Sequence, residues 1–187
     1  MSRDALMAAT AGEVLARYEP PPAVKAGIDA SQRPDTAVRA LRGADAVRFW
    51  AQAMRPRHAV CWALRCLDEA PGGGPEPGMR PVAALRAWVA DPSDANRRAC
   101  HSAAEAAGLE HPASLIAASV FFSGGSLAPP DLPEVAPKPN LRGDLLASAL
   151  ELAAVRVHPE RAADTFARFV ALGLETAEQP EPWKHRG

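Results

Sequence analysis

An all-α fold, either a single-domain multi-helix bundle or a stack of helical hairpins with a long proline-rich strap, is predicted by three features of this chain. Alanine dominates a sequence in which aromatics make up 5% and Tyr18 is the lone tyrosine, so local preference favours helix over strand. Apolar residues recur at three- and four-residue spacing in one segment after another. Polar residues followed by proline mark the breaks, at Asp91–Pro92, His111–Pro112 and His158–Pro159. With 187 residues the chain is long enough to bury one substantial core.

Residues 1–10 are small and weakly patterned and are expected to lack fixed structure, the helical domain running from 11 to 176. AGEVLARY puts Val14, Leu15 and Tyr18 on one side of a short helix, which Pro20, Pro21 and Pro22 end. The following PPAVKAGI restarts a helical turn with proline in its first positions, where a missing N–H does no harm. After a loop at 29–33, Pro34 and Asp35 open DTAVRALR, and Gly43 separates it from Ala44 to Met54, whose Val47, Trp50, Ala51 and Met54 share a face. Pro56 begins a helix with Ala59, Val60, Ala63, Leu64, Cys66, Leu67 and Ala70 on one broad face.

PGGGPEPG, residues 71–78, reads as a flexible loop because glycine orders at high entropic cost and proline blocks helix. PVAALRAWVAD resumes a helix with Val82, Leu85, Trp88 and Val89 inward and stops at Asp91, since the residue before proline avoids helical geometry. Asp91 is the expected cap of the next helix, with Pro92 at its first position and Asp94 at the third. In that helix Ala95, Ala99, Ala103, Ala106 and Ala107 make a small-residue face for a neighbouring helix to approach. Asp94, Arg97, Arg98, His101, Ser102 and Glu105 form the polar face, with Asp94/Arg98 and His101/Glu105 four apart. Gly108 is the expected C-cap, with Leu109 placed for a hydrophobic contact.

His111 and Pro112 open PASLIAASVFF, which Ser123, Gly124 and Gly125 terminate. SLAPPDLPEVAPKP then holds five prolines in fourteen residues and is expected to run as an extended strap over 123–139, pinned by Leu127, Leu132 and Val135. Asn140 heads LRGDLLASALELAAVRV, in which Leu141, Leu145, Leu146, Ala149, Leu150, Leu152, Ala153 and Val157 cover half the wheel. This is the predicted central helix. The last helix carries Ala162, Phe166, Phe169, Val170, Gly173 and Leu174 on one face, and a polar tail that need not be ordered occupies 177–187.

The formal net charge of -1, from 21 basic and 22 acidic residues, gives no field that would gather nucleic acid, so no nucleic-acid partner is expected. No run approaches 18 apolar residues and the first residues lack a signal-peptide core, so membrane insertion is not expected. Cys61, Cys66 and Cys100 are too few for a disulfide framework, which fits a reducing, cytoplasmic setting.

No catalytic residue, metal ligand set or cofactor site is expected. Cys61 and Cys66 sit about 140° apart on a helical wheel and Cys100 about 100° from His101, so neither pair is placed to act together. His58 and Cys61 have no second ligand pair at zinc spacing. FFSGGS follows a helix, whereas a phosphate cradle needs glycines that lead into a helix N-terminus. Ser123 and Ser126 lack a nucleophile-elbow pattern, and Asp144 and Glu151 read as a solvated helix edge.

What stands out is a surface for another protein. Phe121, Phe122, Ser123, Gly124, Gly125, Ser126 and Leu127 make an aromatic and glycine-rich turn, while Arg97, Arg98 and His101 offer a cationic patch. The expected function is therefore a non-enzymatic protein–protein interaction module, an adaptor, chaperone-like protein or scaffold. The alternative is an enzyme or small-ligand binder whose site assembles between helices from dispersed His, Cys and acidic residues.

The span WVADPSDANRRACHSAAEAAGLEHPAS, continuing through FFSGGSLAPPDLPEVAPKP, resembles a bacterial domain-of-unknown-function family of small helical proteins. The resemblance extends through ADAVRFWAQAMRPRHAVCWALRC and AAVRVHPERAADTFARFVALGLE, covering residues 11–176. It implies an accessory protein of the kind encoded near type VI secretion components, and carries over no catalytic residue.

Overall fold

Proline sets the phase of the helices. Its missing N–H is harmless in a first turn, and prolines occupy that place in five α-helices of this computed structural model, which describes residues 5–72, 74–75, 79–129 and 131–184. The helices are α1 (Ala11–Leu15), α2 (Pro22–Gly27), α3 (Pro34–Ala37), α4 (Gly43–Ala53), α5 (Pro56–Asp68), α6 (Arg80–Ala90), α7 (Asp94–Ala107), α8 (Pro112–Phe121), α9 (Leu141–Val155) and α10 (Ala162–Glu178). Short 3₁₀ turns follow α3 at Val38–Ala40 and precede α10 at Pro159–Arg161. Among the described residues there is no strand, only an isolated bridge between Leu6 and Met54. The fold is all-α and single-domain.

The short connections 91–93 and 108–111 keep α6, α7 and α8 side by side, and α8 packs in turn on α9. α9 is the central helix the sequence predicted, since α4, α5, α8 and α10 all pack on it. Its Leu146, Ala147, Ala149, Leu150, Ala153 and Ala154 are all buried, the alanines letting neighbouring helices come close. Val157, expected on that face, lies beyond the helix and is exposed. α10 closes the other side against α4 and α5, where Trp50, Trp62 and Phe169 are fully buried.

The α4–α9 seam carries polar links that the apolar pattern did not show. Gln52 Nε2 donates to Asn140 O at 3.0 Å and Asp144 Oδ1 at 2.9 Å. Asn140 therefore heads α9 without capping it through its side chain, whose Nδ2 donates instead to Asp144 Oδ2 at 2.7 Å. Arg142 is buried and donates to Ala51 O and Met54 O at the C-terminal end of α4, where carbonyls lack helical partners and the dipole favours a cation. Burial, with Arg17 adding repulsion, pushes its pKa down to about 10.

Both ends of the described chain are packed more tightly than their composition indicates. Ala5, Leu6 and Ala8 are buried, and Arg55 N and Met7 N donate across to Ala5 O and Ala53 O at 2.8 Å. At the other end α10 runs on to Glu178, and Trp183 lies edge-on to His58 with the Arg57 guanidinium 3.9 Å from its ring centroid. Residues 1–4, 73, 76–78, 130 and 185–187 lie outside the described residues, so half of the predicted 71–78 loop and the end of the tail do too.

Candidate interaction surface at an arginine-clamped loop

α7 begins two residues later than the Asp91–Pro92 signal indicates. Ser93 is the N-cap, its hydroxyl accepting from Asn96 N at 3.4 Å, while Asp91 receives the Asn96 side-chain amide instead. The face it buries is also not the alanine face. Arg97, Cys100 and Ala104 turn inward, whereas Ala95, Ala99, Ala106 and Ala107 are exposed and Ala103 is half-buried. The physical reason lies outside the helix: the chain leaving α8 presents carbonyls that need donors, and Arg97 is placed to supply them.

Arg97 is 5% exposed. Its Nη1 donates to Phe121 O at 2.6 Å and its Nη2 to Ser126 O at 2.8 Å, while Nε donates to Asp94 Oδ1 at 2.8 Å. Arg98 repeats the arrangement nearer the surface, with Nη2 donating to Ser126 O at 3.1 Å and Ala128 O at 2.8 Å and Nε to Asp94 Oδ2 at 2.8 Å. One carboxylate thus orients two guanidiniums, and their hydrogen bonds, Arg98's and then Arg97's, hold the Asp94 carboxyl below the usual aspartate range.

The His101 ring stacks on Phe121, with centroids 4.1 Å apart and planes within 8°. His101 also meets Glu105 at 3.4 Å, the pairing its spacing predicts. Phe122 sits edge-on to Phe121 with centroids 5.3 Å apart.

The segment after α8 does not run as an extended strap. Leu127 N donates to Val135 O at 2.8 Å, and the Ser126 hydroxyl accepts from Ala128 N and Val135 N, both at 3.1 Å, so the chain doubles back and closes at its own base. Leu132 N adds a turn bond to Pro129 O at 3.1 Å. Leu132 and Val135, expected to pin this segment, are instead 56% and 51% exposed; the arginines hold the base and these two side chains face outward. Gly125 has φ +65°, and a side chain there would press on the Arg97 guanidinium at 3.1 Å.

The ten residues singled out in the sequence therefore gather at one place. Phe121 and Arg97 are buried there, Phe122, Ser123, Gly124, Ser126, Leu127, Arg98 and His101 are half-buried, and Gly125 is exposed. The residues that sequence reasoning missed are Asp94, in its role of orienting both arginines, and Leu132 and Val135 as outward contacts. An acid three and four residues before two arginines was the available signal for the first.

The groups with chemical potential are set apart. His111 accepts from Ala113 N at 3.1 Å as the cap of α8, His58 lies against Trp183 and within 3.2 Å of Gln179 O, and His101 is on Phe121. His58 also has Cys61 on the next turn of α5, yet among the described residues no three His, Cys, Asp or Glu side chains group to hold a metal ion. Burial pushes the Cys66 thiol well above its ordinary range and the Cys100 thiol up to about 12. All three cysteines are buried and unbridged. Native protein treated with an alkylating reagent at pH 8 is expected to label only as fast as it opens, and all three thiols are expected to react at once in urea, as intact mass would show; rapid labelling of a native thiol would contradict this.

Fold and surface together define an all-α protein that displays an arginine-clamped loop and in which no helix among the described residues is long and apolar enough to cross a membrane. Residues 35–177 match the Family of unknown function (DUF6931), and the chain belongs to that family. No curated protein and no solved structure matches the chain.

Proposed function

We propose that this protein is a non-enzymatic interaction module, an adaptor or scaffold that engages another protein through the loop 126–139, and that it serves as a cytoplasmic accessory of a bacterial type VI secretion apparatus. The observation that carries the first part is the contrast within the loop. Two arginines and a serine hydroxyl fix its base, while Leu132 and Val135 face outward more than half exposed. Fixing backbone costs about 1–2 kcal/mol per residue, and a loop whose apolar side chains do not return to their own core recovers little of that from its own domain. A partner that covers Leu132 and Val135 recovers it, and meets a loop already ordered for binding. The secretion assignment rests on the family resemblance of the spans around FFSGGS and AAVRVHPERAADTFARFV.

Photo-crosslinking from residue 132 or 135 in the native host tests both parts. A type VI component is expected in the crosslinked product, and Leu132→Asp with Val135→Asp is expected to abolish its co-purification without shifting thermal unfolding. Co-purification that survives the double substitution would place the contact elsewhere, and a crosslinked product from another system would remove the secretion assignment.

A further inference from the structure

A second surface lies on the far side of α10, where that helix meets the corner formed by the 3₁₀ turn and the start of α4. A groove of about 380 Å³ opens there. Leu41, Phe166, Val170 and Leu174 give it an apolar floor, of which Phe166 is buried and the other three half-buried. The wall along α10 is low because its other lining residues are Ala163, Ala167 and Ala171. From Ala163 to Leu174 the groove follows the helix for eleven residue steps, about 16 Å at 1.5 Å per residue.

The charge on this groove has one sign. Arg39 and Arg42 line its edge, and among the described residues no carboxylate lines it. Arg42 is anchored, its Nη1 donating to Arg39 O and Leu41 O at 2.7 Å each, so its charge is held at the rim. Both arginines are exposed and neither forms an ion pair among the described residues.

We infer that this groove docks an amphipathic helix of a partner protein, one whose apolar face carries acidic residues along the edge that meets Arg39 and Arg42. A helix lays side chains at i, i+3, i+4 and i+7 into an apolar trough, a span of about 10 Å that this groove accommodates. The unopposed arginines select the sign of the flanking charge and the direction in which the helix lies. The inference extends the reading of the chain as an interaction module to a second, separate surface. The crosslinking through Leu132 and Val135 does not involve this groove, so either can fail alone.

The test is selection from a displayed library of helical 15-mers with apolar residues fixed at i, i+3, i+4 and i+7 and randomised flanks, against the immobilised full chain. Enriched peptides are expected to carry Asp or Glu on one flank. The best of them, measured by fluorescence anisotropy, is expected to bind Ala167→Trp, which fills the groove from an exposed position, and Arg39→Glu/Arg42→Glu at least tenfold more weakly than the unmodified chain. Far-ultraviolet circular dichroism establishes that both variants are folded. No enrichment, enrichment of basic or neutral flanks, or equal binding by the folded variants would overturn the inference. Self-association of the chain abolished by Ala167→Trp would overturn it as well, by making a second copy the occupant.

Discussion

Gly173→Ala is expected to destabilise the protein by about 2–3 kcal/mol, although alanine is the better helix former by roughly 1 kcal/mol. Gly173 lies in α10 where the helix backbone rests directly on two tryptophans. A Cβ there would overlap Nε1 and Cδ1 of Trp50 and stand 3.1 Å from Nε1 of Trp62. Neither indole has room to retreat, since both are fully buried and Trp62 Nε1 is tied to Phe169 O at 2.7 Å. Relief requires α10 to move off α4 and α5, which opens the core that Phe169 and Leu172 close. For a chain of this size the cost corresponds to a drop of about 5–10 °C in melting temperature. Gly27→Ala is the control: nothing stands within 4 Å of its Cβ position at the exposed end of α2, so that substitution is expected to leave stability unchanged or raise it by about 0.5 kcal/mol. Urea unfolding followed at 222 nm measures both. Equal midpoints for Gly173→Ala and the parent chain would show that the tryptophan contacts yield without cost.

Gly173 was legible as a buried position because it recurs with Phe166 and Phe169 at helical spacing, and so was most of the fold. Proline before or within a first turn gave the start of α2, α3, α5 and α8, and three- and four-residue apolar spacing gave the inward faces of α4, α5 and α6. Periodicity failed where a polar side chain has work far away in sequence. Arg97 reads as solvated on a wheel but serves carbonyls 24 and 29 residues on, and Arg142 reads as a first-turn cation but caps the end of α4. The same blindness explains the strap: prolines forecast irregular backbone correctly, yet which residues hold it depends on carbonyl groups, which every residue has and no side-chain pattern records. At the C-terminal end Trp183 sits in a polar stretch, and its docking depends on Arg57, whose Nε and Nη2 donate to Val89 O and Ala90 O, so three distant segments meet at one guanidinium.

Arg97→Ala is expected to cost about 3 kcal/mol and to release the loop, making it the second large effect. The substitution leaves Phe121 O without its charged donor and Ser126 O with only the longer bond from Arg98 at 3.1 Å, and a buried acceptor stripped of its partner costs on the order of 1–3 kcal/mol. It also removes the cation 4.8 Å from the Phe121 ring centroid. Arg98→Ala is expected to cost about 1 kcal/mol, because its side chain is 29% exposed and water replaces part of what is lost. Arg97→Lys should not rescue, since an ammonium cannot span two carbonyls and a carboxylate with the fixed fork of a guanidinium. Limited proteolysis supplies the local readout, with cleavage within 126–139 rising sharply for Arg97→Ala and modestly for Arg98→Ala. Acid gives an independent one. The Asp94 carboxyl is held below its ordinary range in the folded state, so its contribution is present at neutral pH, where the carboxylate is charged in both folded and unfolded chains. That contribution is lost as pH falls through the lowered folded-state pKa. Loop cleavage in the parent chain should therefore rise on acidification while Asp94→Asn, already lacking the charge, responds less. If Arg97→Ala and Arg98→Ala proved equal in stability and in cleavage, the clamp would not be what orders this loop, and its outward Leu132 and Val135 would no longer be held in place for a partner.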